Sequence, residues 1–226
     1  MIKKIFSWLG REFVELSGEA LTGTTVEEET KDLFRRFAGE LKGLDLSLEN
    51  TVRTRIWGRT REARNLAAPA RTKILAGSAR APSSSYFSPY HFDSNANVAL
   101  DLIALRPSKP DVERKHLEFE PPRAYLRYLR YDSVVFVSGF CSSADRLENQ
   151  VPEILEDIKR ALDGAGTTWN KLVKLSMFIH RSQRPELPKA FLEKKNKLGI
   201  PEVEFSFVDG FAGENRLIEI EATAVT

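Results

Sequence analysis

The chain has 226 residues, 42% of them hydrophobic, with 34 Lys and Arg against 32 Asp and Glu. That length suits one large domain or two small ones, and the apolar share excludes wholesale disorder. No apolar run approaches the roughly 20 residues of a membrane-spanning helix, and a single cysteine, Cys141, excludes an internal disulfide framework or a Cys-rich zinc site. The opening Met1-Ile2-Lys3-Lys4-Ile5-Phe6 starts like a signal peptide, but Arg11 and Glu12 cut its apolar stretch to about half the usual h-region. The expectation is a cytoplasmic globular protein.

Phe13-Val14-Glu15-Leu16-Ser17-Gly18 then reads as a strand ending in Ser-Gly. Leu33, Phe34, Phe37 and Leu41 have the three-and-four spacing of a buried helix face. Val52 and Ile56-Trp57 belong to a second strand. Between Arg53 and Arg80 stand eight basic residues and one acid, a net +7 against −5 for the rest of the chain. Such a patch attracts phosphate, carboxylate or nucleic acid, although a solvated helix and strand edge is the plainer reading. Ser83-Ser84-Ser85-Tyr86 and Pro89-Tyr90-His91-Phe92-Asp93 form an aromatic, hydroxyl-rich stretch, and Val98 to Leu102 reads as a closing strand. Pro107, Pro110, Pro121 and Pro122 among charges make the following segment an extended tether.

Tyr125 to Tyr131 alternates as an opening strand that the first half lacks. Val134-Val135-Phe136-Val137-Ser138-Gly139 is a second Ser-Gly strand. A helix from Val151 to Leu162 follows, stopped by Asp163-Gly164-Ala165-Gly166. Next come a strand from Leu172 to Ile179, a helix near Leu187 to Leu198, and strands Glu204 to Val208 and Arg216 to Ala224. An offset of 121 residues lays Leu33, Phe34, Phe37 and Leu41 on Ile154, Leu155, Ile158 and Leu162, and Ile56-Trp57 on Met177-Phe178. The chain is therefore an internal repeat. Each copy has the order β–α–β–α–β–β, an α+β arrangement with a sheet covered by two helices. The expected domains are 1–106 and 121–226, joined by a linker at 107–120.

The second copy resembles the RidA/YjgF family, once labelled endoribonuclease L-PSP. The residues carrying the resemblance are Val134 to Gly139, Gln150, Ala165-Gly166, Leu172 to Ile179 and Ile218-Glu219-Ile220-Glu221-Ala222-Thr223-Ala224. The first copy is a more divergent match. The resemblance implies two tandem chorismate-mutase-like α+β domains, each a mixed β-sheet packed by two helices. It implies assembly as a homo-oligomer, a trimer or pseudo-trimer, with small-molecule pockets between neighbouring units. Family enzymes hydrolyse enamine or imine intermediates such as 2-aminoacrylate, an arginine holding the carboxylate and a glutamate placing or activating water.

Carried over by motif, the glutamate falls on Glu219, the tyrosine on Tyr125 and the Ser-Gly on Ser138-Gly139. The arginine belongs two residues after a proline, where this chain has Val203 after Pro201 and Ser84 after Pro82. Valine offers no donor to a carboxylate, so the substrate is expected to differ from the usual one. The candidate site is Glu219 as catalytic residue, with Tyr125, Ser138, Gly139, Val203, Phe205 and Arg181 around a small-molecule substrate. Arg181, Arg184, Arg216 or a base from the 53–80 window are the candidate anion partners. In the first copy the glutamate position is Ala99, with Asp101 nearby.

A more distant resemblance is to chorismatases, which hydrolyse an enolpyruvyl ether, through Met177-Phe178-Ile179-His180-Arg181 and Arg216-Leu217-Ile218-Glu219-Ile220-Glu221. The remaining alternatives are a non-catalytic binding or assembly protein and an RNA-binding protein. Glu219 and Glu221 alternate on one strand face and suit acid–base work. His180 and Cys141 are weaker candidates, a lone imidazole and a lone thiol without partners at a recognisable spacing. No phosphate loop, metal-ligand cluster or cofactor motif is implied.

Overall fold

The computed structural model describes residues 1–21, 23, 25–195 and 202–226. The chain begins with a hairpin rather than a single strand. β1 (Ile2–Trp8) pairs antiparallel with β2 (Arg11–Glu19) through Leu9 and Gly10, both at positive φ. The first half thus has the opening strand that the sequence seemed to lack. Lys3 and Lys4 break the apolar alternation there and disguise it. Phe6 and Trp8 each hold Phe13 at a ring separation of 5.6 Å.

Helix α1 (Val26–Lys42) is capped by Thr25, whose Oγ1 accepts from the Glu28 amide at 3.2 Å. Its Leu33, Phe34, Phe37 and Leu41 are buried, as their spacing predicts. β3 (Thr51–Gly58), α2 (Arg61–Ile74), β4 (Ser83–Phe87) and β5 (Val98–Arg106) complete the first sheet, in the order β1-β2-β5-β3-β4. Only the β3–β4 pair is parallel.

The second half contributes β6 (Arg114–Leu117), β7 (Tyr128–Tyr131), β8 (Val134–Phe140), α3 (Leu147–Gly164), β9 (Leu172–His180), α4 (Glu186–Lys195), β10 (Glu202–Val208) and β11 (Ile218–Val225). Its order, β6-β7-β8-β11-β9-β10 from one edge, repeats the first sheet with β6 added. Residues 114–117, expected within the 107–120 connector, therefore form an edge strand on β7. Tyr125 lies ahead of the strand it was expected to open. Residues 196–198, the end of the expected second helix, lie outside the described residues. The architecture is α+β, two mixed sheets each with its own helices.

Helices cover one face of each sheet, and the other face is turned to the opposite half. Two apolar clusters cross this seam. Phe13, Val52 and Leu105 meet Leu129, Val134 and Phe136 in one; Trp57, Tyr86 and Ala99 meet Phe178, Val208 and Phe211 in the other. Burial on that scale fuses the halves into one body. The end of β4 also bridges to the segment after β10, the Phe87 amide donating to the Gly210 carbonyl and the Phe87 carbonyl accepting from the Asp209 amide, each at 3.1 Å. Among the described residues no helix is long and apolar enough to cross a membrane.

Candidate active site

β11 alternates with period two. Ile218, Ile220 and Ala222 enter the helix-side core, so Glu219, Glu221 and Thr223 face the seam. Both glutamates are buried there, 7% and 1% exposed. Their surroundings drive them apart. Glu221 receives Arg55 Nη2 at 2.7 Å and Arg55 Nε at 3.1 Å, with Arg53 Nε at 3.3 Å. Burial alone raises a carboxyl pKa, but the two guanidinium groups outweigh it and hold Glu221 below the ordinary glutamate value. Among the described residues Glu219 has no such partner at ion-pairing distance. Burial raises its pKa, the neighbouring Glu221 charge adds to the rise, and hydrogen bonds from Cys141, Ser84 and Tyr86 only partly oppose it.

The Tyr86 hydroxyl donates to Glu219 Oε1 at 2.9 Å, and the Cys141 thiol lies 3.0 Å from Oε2. Tyr86 is fully buried, its ring stacked on Phe178 at 4.2 Å. Burial, then Glu219 and Glu221, push its pKa up, so it stays a donor. The same order of causes, burial first and Glu219 next, pushes the Cys141 thiol up. A thiol kept protonated is a poor nucleophile, so Cys141 is a hydrogen-bond partner of the acid.

Gly139 fits because it lacks a side chain. A Cβ there would stand 2.0 Å from Glu219 Oε1 and 2.6 Å from Ser84 Oγ. Gly139→Ala is expected to displace the Glu219 carboxyl, lowering activity and costing about 1–3 kcal/mol of stability. Activity assays and urea unfolding check this, and an alanine variant with native values for both removes the close-approach argument. Ser138, one residue earlier, donates its hydroxyl to the Leu126 carbonyl and so ties β8 to the Tyr125 segment. Tyr125 is half-buried, edge-on to Phe119 with its hydroxyl 3.3 Å from Arg123 Nη1.

The first half supplies the opposite wall. Gly58, at the end of β3, lets the first turn of α2 press against the strand, since a Cβ there would meet the Arg64 amide at 2.4 Å. Arg64 then extends over the seam, Nη2 donating to Ser85 Oγ, with Glu219, Tyr125 and Cys141 in its electrostatic surroundings. Arg71, two turns further along the same helix face, is buried and donates Nη1 to the Ser84 carbonyl at 2.6 Å. Burial and the nearby Arg64 charge lower its pKa to about 10.

The structure thus sets Gly139 against Glu219, while Ser138 bonds the Leu126 carbonyl and Tyr125 packs on the helix-side core. It separates Val203, Phe205 and Arg181 from Glu219. Val203 and Phe205 lie on β10 and pack toward the helix-side core, while Glu202, Glu204 and Ser206 take the seam face. The strand opposite Glu219 is instead β4 of the first half. Arg181 pairs with Asp209 at 3.0 Å and lies 4.7 Å over the Tyr90 ring, beside a separate cleft of about 400 Å³. Asp101 lines that cleft as well, accepting from Trp57 Nε1 at 2.6 Å. His180 bonds Ser182 Oγ at 2.8 Å. Tyr86 was not assigned from the sequence, where its signal was the hydroxyl-rich stretch, and Arg64 and Arg71 entered only as members of the basic window offered as candidate anion partners.

The family model described as endoribonuclease L-PSP matches residues 116–226. No curated protein sequence matches the chain. A YjgF/YER057c/UK114 family structure from Mycobacterium tuberculosis is 24% identical and covers 50% of this chain and 100% of its own, with a TM-score of 0.47. A Rid-family structure from Yersinia pestis is 20% identical over the same shares, with a TM-score of 0.46. A chorismatase structure is 13% identical but covers 98% of this chain and 79% of its own at a TM-score of 0.71, a likeness of fold through both halves. Residues 116–226 thus match the endoribonuclease L-PSP family, the RidA/YjgF group that the sequence resembles, and the first half repeats the topology of the second.

Proposed function

We propose that the protein hydrolyses a small metabolite bearing an electron-rich carbon–carbon double bond, an enamine or an enol ether, with Glu219 as the proton donor. One observation carries this reading: two buried carboxyls two residues apart, one held ionised by Arg55 and Arg53 and the other raised in pKa. That divergence is how proteins assign distinct acid and base roles to like groups. Glu219 gives its proton to the terminal alkene carbon, leaving an iminium or oxocarbenium ion. Water then adds to the substituted carbon and returns a proton to the Glu219 carboxylate. Collapse of the adduct releases ammonia from an enamine, or an alcohol from an enol ether, and leaves a ketone.

Enzymatically generated 2-aminoacrylate and chorismate represent the two substrate types, and both yield pyruvate. Acceleration of pyruvate release from at least one of them is the expected result. If the protein accelerates neither, the hydrolase reading falls. An RNA-directed role loses its main support, because Arg53 and Arg71 of the basic window are buried and Arg55 is spent on Glu221.

A further inference from the structure

The two sheets touch where β4 meets β8. Elsewhere along the seam a cleft of about 400 Å³ lies between β2, β3 and β5 of the first half and β9 and β10 of the second. That volume is of the size that small-molecule sites have. Its buried side is aromatic, formed by Trp57 and Phe178, and His91 stacks on the Trp57 ring at 3.9 Å. Tyr90 and Phe207 line the same cleft but stay open to solvent, 77% and 41% exposed. Exposed rings beside a cavity offer the surface that a planar ligand covers.

The charges of this cleft are unevenly matched. In strand register Asp101 stands opposite Arg55 as Glu221 stands opposite Ser176, so Asp101 is the first-half counterpart of Glu221. Glu221 has two guanidinium groups. Asp101 accepts only from neutral donors, the Ser17 hydroxyl at 2.5 Å and the Trp57 indole at 2.6 Å. The cations along the cleft are committed elsewhere: Arg55 to Glu221, Arg181 to Asp209, and Lys174 to Glu202 and Glu204. Glu15, also in the lining, faces Lys4 across the β1–β2 pair without forming an ion pair. Among the described residues neither Glu15 nor Asp101 has a cation within 4.0 Å.

Unpaired carboxylates beside aromatic faces receive an organic cation, through charge-assisted hydrogen bonds and cation–π contact. A metal ion fits less well, because among the described residues no three His, Cys, Asp or Glu side chains stand close enough together to hold one. We infer that this cleft is a second ligand site, separate from the Glu219 cluster, and that it takes a small aromatic ammonium compound. The ring lies among Trp57, Tyr90 and Phe207, and the ammonium group meets Asp101 and Glu15.

Calorimetry on the full chain with four probes tests the site: 2-phenylethylammonium, neutral 2-phenylethanol, anionic 3-phenylpropionate and ringless ethylammonium. The first is expected to bind, and each of the others at least about tenfold more weakly, for want of the charge or of the ring. Asp101→Asn and Glu15→Gln are each expected to weaken 2-phenylethylammonium binding about tenfold, and Tyr90→Ala about threefold. Asparagine keeps an acceptor for the Trp57 indole. Should that variant still fail to fold, Glu15→Gln and the exposed Tyr90→Ala carry the comparison. Glu219→Gln is expected to leave the binding unchanged. The site is overturned if 2-phenylethylammonium does not bind, or if 3-phenylpropionate or 2-phenylethanol binds as tightly. Binding unchanged in both Glu15→Gln and Tyr90→Ala, or lost in Glu219→Gln, overturns it as well.

Discussion

Glu219→Gln is expected to reduce pyruvate release from whichever alkene the protein accepts by about 10²- to 10⁴-fold, the usual contribution of a positioned general acid. Glutamine preserves the shape of the side chain and keeps an oxygen for the Tyr86 hydroxyl. What it removes is the transferable proton. The loss should therefore fall on kcat rather than on KM. The pH dependence carries a definite sign. The protonated form of Glu219 is the active one, and its pKa is raised, first by burial and then by Glu221. Activity should hold at low pH and decline as pH rises through that raised value. The same group adds stability that is complete below its unfolded pKa, about 4.3, and is lost as pH rises through the folded value. Turnover within twofold of the native protein in the glutamine variant, or a rate that increases with pH through this range, is incompatible with Glu219 as the acid.

Glu221→Ala is expected to destabilise the protein by about 3–5 kcal/mol, because it strips a buried carboxylate from two buried guanidinium groups. Arg55 would lose both its contacts at 2.7 and 3.1 Å, and Arg53 the one at 3.3 Å. Arg53 keeps its bonds to the Ala222 carbonyl at 2.8 Å and the Val137 carbonyl at 3.1 Å, so its cost is partly contained. The change should appear in urea unfolding as a lower midpoint at an unaltered m-value. A loss under about 1 kcal/mol would mean that water reaches the seam and replaces the carboxylate. The pH response runs opposite to that of Glu219. The pKa of Glu221 is lowered by Arg55 and Arg53 against the effect of burial, so its stabilisation is present above the unfolded glutamate value and is lost as pH falls through the folded one. The seam is accordingly weakened from the acid side through Glu221 and from the alkaline side through Glu219.

The sequence by itself determined the repeat, the α+β class and the face on which the two acids stand. Periodicity suffices for those. Leu33, Phe34, Phe37 and Leu41 recur at helical spacing and are buried, and Ile218, Ile220 and Ala222 claim one face of β11, which leaves Glu219 and Glu221 the other. The first strand escaped notice because its two lysines interrupt the alternation, and residues 114–117 because Arg114, Lys115 and His116 leave a single apolar position, Leu117, on an edge. Tertiary structure alone decided what stands opposite the acids. Alternation states that a strand has two faces and says nothing about which distant segment covers them. Val203 and Phe205 were chosen as neighbours within one copy, yet β10 turns them toward its own helices. The contact with Glu219 comes from Tyr86, 133 residues away in the chain. Arg64 and Arg71 reach the seam because the glycine at 58 seats α2 against β3 and the two sheets close face to face. The charge of the 53–80 window was legible in the sequence. Its function as the lining of an interior was not, because burial belongs to the packing of the two halves and not to either half's pattern.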